Sequence, residues 1–330
     1  MSEIRILNAS EVRQALPMAE AIDGTKEAYS QLSAGKAIVP LRSRIDIPDA
    51  QGLSLVMPAF LAASRDLAVK IVSVFPKNPK QNKPVISATV LVLDAETGQP
   101  LCVMEGSSLT AIRTGAASGA ATDILARKYV ETAAIFGTGV QARTQLEAIC
   151  TVRSLKEIRV HSLDGEEASR FAEDMAGHGP IPNAIEVVET PADAIKGADI
   201  ICTATTSHTP VFSGSDVEAG THINAIGAFT PDMQEVDSVT ILRSLVIVDF
   251  LEAVLEEAGD LLVPLSDGRI EQSHIQAELG EIINGKKSGR SSNEEITYFK
   301  SVGVAVQDAV AGRIALKNAL AKDLGTVVAF

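Results

Sequence analysis

Tryptophan is absent from the 330-residue sequence, and Phe and Tyr bring the aromatic fraction only to 4%. So few flat faces argue against a stacking platform for bases or sugars. The three cysteines, Cys102, Cys150 and Cys202, are far apart and follow no metal-type spacing. Reduced, buried thiols in a cytoplasmic protein are the expectation. No apolar run reaches the ~18 residues that would span a membrane. The opening MSEIRILNASEVRQAL is charged within its first dozen residues and does not read as a secretory signal. The five histidines form no spaced ligand pattern and H-E-x-x-H is missing, so no metal site is expected. Basic charge is also in deficit: 29 Lys and Arg against 42 Asp and Glu give a net charge of −13. Such a surface repels phosphate backbones and anionic membranes, which excludes both as expected partners.

What is present is an ordinary globular composition, 46% hydrophobic and 22% charged, with 24 Gly and 14 Pro. The length suggests about two domains at ~150 residues each, enough to bury a core without disulfides or structural metal. Two textures are visible. The first ~120 residues combine one amphipathic helix pattern, Glu11 to Ala34, with β-rich runs at Leu53–Met57, Leu67–Phe75 and Ser87–Leu93. From about 130 onward, short apolar strands alternate with helices, which means βαβ units and a parallel sheet. The strands are expected at 133–136, 157–161, 185–188, 199–204, 222–226 and 245–249, and the helices at 141–151, 166–175 and 192–195. Glu294 to Ala321 reads as a long helical region broken near Gly303. A helix rich in small residues, Thr110 to Lys128, joins the textures, with Gly115 and Gly119 one turn apart on a face that can approach another backbone closely.

Gly137-Thr138-Gly139-Val140-Gln141-Ala142 fits G-x-G-x-x-A, the phosphate-binding turn of a dinucleotide fold. Gly137 permits the tight turn, Gly139 lets the backbone approach a pyrophosphate, and Ala142 keeps the helix close to its strand. The motif follows an expected strand, opens a helix and precedes a second strand, which is the context that gives it weight. Counting about 20 residues on reaches Ser162, where an acid would select NADH and a small polar residue leaves room for a 2′-phosphate. No Arg follows Ser162 and Asp164 is near, so NADH and NADPH both stay open. Thr203, Thr205, Thr206 and Ser207 end a further strand, where such sheets meet their ligands. Thr114 is a candidate for cofactor phosphate.

Lys70 lies within Leu67-Ala68-Val69-Lys70-Ile71-Val72-Ser73-Val74, a strand apolar on both faces. An ammonium there needs a partner or a cleft, and burial would lower its pKa; the alternative is a strand-end lysine reaching to solvent. Arg113 sits between Ile112 and Thr114 in the small-residue helix. Arg42 and Arg44 follow Pro40, and either could be a surface charge.

Together these segments resemble the ornithine cyclodeaminase/μ-crystallin family over essentially the whole chain. The matches run through Val39-Pro40-Leu41-Arg42, Val56-Met57-Pro58-Ala59, Val69-Lys70-Ile71-Val72, residues 111–117, residues 135–142, His222-Ile223-Asn224-Ala225-Ile226-Gly227 and Gly303-Val304-Ala305-Val306-Gln307-Asp308. The resemblance implies an α/β fold in which a Rossmann-type doubly wound parallel sheet is inserted in a mixed α/β dimerisation and substrate domain, with the active site between them. The expected boundaries are 1–118 with 312–330, and 119–311. It implies a carboxylate clamp of Arg42, Lys70 and Arg113, with Met57, Phe229 and Gly303 also near substrate. It places Arg113, Thr114, residues 137–142, Ser162, Thr205, Thr206 and Ile226-Gly227-Ala228 around NADPH or NADH. Members that deaminate ornithine, and some alanine dehydrogenases, carry Asp where this chain has Phe229. Phenylalanine can neither hold an ammonium nor act as a base, and it offers an apolar wall to an uncharged ring. Asp232, three positions on, is the alternative acid.

The segment around Phe229 looks like that of the family's ketimine reductases, which implies reduction of Δ1-pyrroline-2-carboxylate to L-proline. The alternatives are an alanine dehydrogenase or reductive aminase, an ornithine cyclodeaminase, and a non-catalytic ligand binder of the μ-crystallin type. A homodimer is expected, with the β-rich N-terminal part at its interface.

Overall fold

Pro17 decides how the first helical stretch is built. The structure, a computed structural model, describes residues 3–329. After β1 (Glu3–Leu7), α1 (Ala9–Ala15) opens with a capping box in which Asn8 accepts from the Ser10 and Glu11 amides and Glu11 accepts from the Asn8 amide. The single helix expected over 11–34 is two, because Pro17 disfavours helical backbone at Leu16 and cannot donate an N–H. The chain restarts as α2 (Met18–Ser33). Six strands follow: β2 (Ala37–Ile38), β3 (Ser43–Ile47), β4 (Gly52–Leu61), β5 (Asp66–Val74), β6 (Ile86–Leu93) and β7 (Pro100–Glu105). The small-residue helix, α3 (Gly106–Leu125), begins four residues earlier than its pattern suggested.

The alternating stretch then forms β8 (Thr132–Phe136), α4 (Val140–Val152), β9 (Glu157–His161), α5 (Gly165–Met175), β10 (Ile185–Val187), α6 (Pro191–Ile195), β11 (Ile200–Thr203) and β12 (His222–Ala225). It continues through α7 (Ser238–Arg243), β13 (Ser244–Val248), α8 (Leu251–Glu257), α9 (Gly259–Ser266), β14 (Ile275–Glu278), α10 (Leu279–Ile283) and β15 (Ile296–Lys300), and the chain ends with α11 (Ala305–Lys322) and β16 (Thr326–Ala329). The helical reading of 294–321 is therefore corrected. Ile296-Thr297-Tyr298-Phe299-Lys300 is a fully buried strand between β12 and β13, too short for its period to show. The expected break at Gly303 is present, with φ of +83°.

Two compact units result, one containing the chain up to Arg113 and from Val304 onward, the other Thr114–Gly303. The boundaries expected at 118/119 and 311/312 fall inside α3 and α11. In the first unit the sheet order is β16-β1-β7-β6-β5-β4-β2, with β3 also on β4. α11 packs on α2 and on β4 to β6. Glycines permit the contact: a Cβ at Gly24 would meet Ile314 at 2.5 Å, and one at Gly312 would meet Val92 at 2.8 Å.

In the second unit the order is β10-β9-β8-β11-β12-β15-β13-β14, all parallel. Both faces are buried, as parallel sheets require. Along β8, Ala133 and Ile135 join one core layer while Ala134 and Phe136 join the other. The strand order reverses between β8 and β11, the position at which open α/β sheets bind ligands.

Candidate functional site

The first unit concentrates buried charge on β5. Lys70 is only 2% exposed, and its Nζ lies 2.7 Å from Oδ2 of Asp308 on α11. The reading of Lys70 as a lysine reaching to solvent is thereby excluded. Arg113 Nε approaches the other oxygen, Oδ1, at 3.1 Å. Gln307 locks this arginine from two sides: its Oε1 accepts from Arg113 Nη1 at 3.0 Å and its Nε2 donates to the Arg113 carbonyl at 3.2 Å. Met57 is the direct cross-strand neighbour of Lys70 in the β4–β5 register. Arg42, half-buried in the loop before β3, adds positive potential at Lys70, whereas Arg44 pairs with Asp46 at the surface. Burial is the main cause that lowers the Lys70 pKa, to about 8; Asp308 opposes the shift, and Arg113 and Arg42 add to it. Two cations thus share the single Asp308 carboxylate, with Arg42 adding positive potential at Lys70, an arrangement with positive charge left over for an anion.

The second unit carries the glycine turn. Gly137 has φ of +98°, and a Cβ there would lie 2.6 Å from the Ala204 carbonyl oxygen, so only glycine fits. At Gly139 the opposite holds. Nothing lies within 4 Å of a Cβ built there, and the N-terminus of α4 that it caps receives no side-chain hydrogen bond. Open space beside uncapped amides at the positive end of a thirteen-residue helix fits a pyrophosphate. Val140 is exposed, Ala142 is buried against the sheet, and Gln141 and Thr138 are half-buried, the Thr138 hydroxyl 3.5 Å from Glu167. Ser162 follows β9, as counted from the motif. The carboxylate of Asp164 is already engaged, accepting from the Glu166 and Glu167 amides as the cap of α5. Close packing of α3 appears at Gly115, where a Cβ would meet the Thr144 carbonyl oxygen at 2.4 Å; Thr114 beside it is buried.

Thr205 and Gly227-Ala228 lie at the carboxyl ends of β11 and β12, and the structure brings them together. One residue joins them that sequence reasoning missed. Glu235 accepts from the Thr205 amide at 2.5 Å, the Thr205 hydroxyl at 2.7 Å and the Gly227 amide at 2.6 Å. Ile226 donates its amide to the Thr203 carbonyl, and Thr206 is exposed. Phe229 is 48% exposed on the loop beyond. Asp232 is turned to the Thr230 hydroxyl and to His208, and so is not directed as a free base. Gly303 donates its amide to Asp249 at 2.8 Å.

Asp308 was also missed, although its signal was visible: it and Gln307 are the only polar residues in Ala305–Ala311, as Arg113 is the charge in its own apolar surroundings. The cysteines are free and buried, which pushes the Cys102 and Cys150 thiols up to about 12. Among the described residues, no group of three or more His, Cys, Asp or Glu could hold a metal ion, and no helix is long and apolar enough to cross a membrane.

The model of the ornithine cyclodeaminase/mu-crystallin family matches residues 2–323. The chain belongs to that family. It is 41% identical over 326 residues to a Δ1-pyrroline-2-carboxylate reductase of Bacillus cereus, covering 98% of this chain and 99% of the relative. The solved structure of the Thermococcus litoralis Δ1-pyrroline-2-carboxylate reductase with NADH and L-proline superposes with a TM-score of 0.93 at 44% identity, covering 98% and 99% of the two chains. An archaeal alanine dehydrogenase dimer with bound NAD superposes with a TM-score of 0.92 at 35% identity over the full length of both.

Proposed function

We propose that this protein reduces Δ1-pyrroline-2-carboxylate to L-proline with NADH or NADPH. The observation that carries the reading is the buried Lys70–Asp308–Arg113 cluster, whose uncompensated positive charge suits a small carboxylate. The similarity to named pyrroline-carboxylate reductases supports it, as does Phe229 where a cyclodeaminase of the family would carry Asp. Residues 137–142 and the N-terminus of α4 would hold the pyrophosphate. The nicotinamide cofactor supplies the hydride when bound.

The residues of this chain supply orientation and a proton. Arg113, fixed by Asp308 and Gln307, presents a rigid guanidinium to the substrate carboxylate, and Arg42 adds charge from a looser position. Lys70, held protonated by Asp308, donates a proton to the ring nitrogen as the C=N bond becomes CH–NH, and is reprotonated from water. Oxidation of either cofactor by this imine tests the proposal. Absence of that oxidation, with turnover of pyruvate and ammonia instead, would assign the alanine dehydrogenase reading; ammonia release from ornithine would assign the cyclodeaminase.

A pH profile follows from the Lys70 environment. Because the donor must be protonated, kcat/KM falls as pH rises through about 8. Asp308→Asn removes the charge that raises the Lys70 pKa, so the fall moves to lower pH. An unmoved high-pH limb in that variant would separate Lys70 from proton delivery.

We also propose a homodimer. By the β3–β4–β5 register Ile45 and Ile71 share the face of the first sheet opposite Lys70, and both are exposed, an apolar surface that a two-fold partner would cover. Light scattering on dilute protein should give twice 34.7 kDa, and a mass near 34.7 kDa rejects the dimer. Free, buried thiols suit a reducing, cytoplasmic setting.

A further inference from the structure

Glu235 lies outside every motif, yet it gathers more hydrogen bonds than an ordinary structural carboxylate. Oε1 accepts from the amide and the hydroxyl of Thr205, at 2.5 and 2.7 Å. Oε2 accepts from the Thr203 hydroxyl at 2.9 Å, the Gly227 amide at 2.6 Å and the Ala228 amide at 3.1 Å. All these partners are donors, so the site is shaped for an ionised carboxylate although the residue is fully buried. Its own backbone is held in turn. The amides of Glu235 and Val236 donate to Asp260 Oδ1, and the other oxygen of Asp260 receives Lys300 Nζ at 2.9 Å and the Tyr298 hydroxyl at 3.2 Å.

The placement gives this network a purpose. The phosphate turn ends β8, and the ribose position, Ser162, follows β9 on one side of the strand-order reversal. In a doubly wound sheet the second half of a dinucleotide lies across that reversal, over β11 and β12. The loops leaving β11 and β12 are the ones Glu235 joins, and they abut: a Cβ at Gly227 would be 2.1 Å from the Thr205 carbonyl oxygen. The amides of Thr205, Gly227 and Ala228 are taken by Glu235, so the backbone groups these loops have left for a ligand are carbonyl oxygens. Such a surface suits the N–H groups of a carboxamide.

We propose that Glu235 is a positioning residue that sets the β11 and β12 loops to receive the nicotinamide end of the cofactor. The proposal rests on the reading of this unit as a nicotinamide dinucleotide site. Glu235→Gln keeps the shape but turns an amide N–H2 toward one set of donors, which forces a loop to shift. Calorimetric titration with NADH and with ADP-ribose, which has the same phosphates but no nicotinamide, separates the two ends. The expected result is a dissociation constant for NADH raised at least ~10-fold, with that for ADP-ribose unchanged within about twofold. Should Glu235→Gln fail to fold, Thr203→Val removes one buried donor without touching the loops, and the same selective loss is expected at smaller size. No NADH binding by the unsubstituted protein defeats the cofactor reading itself. Normal NADH binding by the variant, or equal weakening of both ligands, defeats only the role given to Glu235.

Discussion

Lys70→Ala lowers kcat/KM for the imine by at least ~100-fold, equivalent to about 2.7 kcal/mol of transition-state stabilisation. The loss comes from two sources. The cluster gives up a cation that faces the substrate carboxylate, and the ring nitrogen gives up its proton donor. Asp308 keeps its contact with Arg113, so the fold survives and the melting temperature changes far less than the rate. Arg113→Ala produces a loss of the same order, since Gln307 and Asp308 hold that guanidinium rigidly. Arg42→Ala, from a half-buried loop, mainly raises KM. Steady-state kinetics over a range of imine concentrations separate these patterns. Unchanged kinetics in Lys70→Ala would mean that the lysine is a structural partner of Asp308 and nothing more.

Asp260→Ala produces the largest loss of stability expected here, about 3–5 kcal/mol, a substantial fraction of a normal folding free energy. Both partners of the Asp260–Lys300 pair are 0% exposed, so the substitution strands an ammonium in the core. It also leaves the amides of Glu235 and Val236 and the Tyr298 hydroxyl without their acceptor. Adding Lys300→Met removes the stranded charge, and the double variant recovers part of the loss. Urea unfolding of the two variants measures the difference. Equal stability of the single and double variants would show that Lys300 finds water or another acceptor.

The parallel sheet was legible because its parts are local. Each of β8, β9, β11 and β12 is a short apolar run, and the glycine turn sits between a strand and a helix as the motif demands. β15 was not legible, because five buried residues running into a real helix leave no period to distinguish the two. The break at Pro17 follows a rule about single residues, which the long amphipathic pattern concealed. Within the candidate site, Lys70 and Arg113 stood out as charges in apolar surroundings. Asp308 was marked only by its apolar neighbours and Glu235 not at all, because their meaning lies in partners 238 and 30 residues away, as the Lys70 and Thr205 contacts show. Sequence spacing carries the turn around a phosphate, but long-range pairing carries the groups that hold a charge or a loop in place.

The division of the chain also has a consequence for its synthesis. β16 pairs with β1, and Asp308 on α11 meets Lys70 on β5, so the first unit is completed only by residues synthesised after the whole of the second. The intervening Thr114–Gly303 is continuous and can fold as soon as it emerges. Until α11 arrives, β4, β5 and β6 lack the helix that covers them, an interval on the order of ten to forty seconds at ordinary elongation rates. Over that interval the apolar face that α11 will cover stays open to solvent and to other chains. Slower translation of the middle of the message therefore lengthens the exposure of a part of the protein that has already been made.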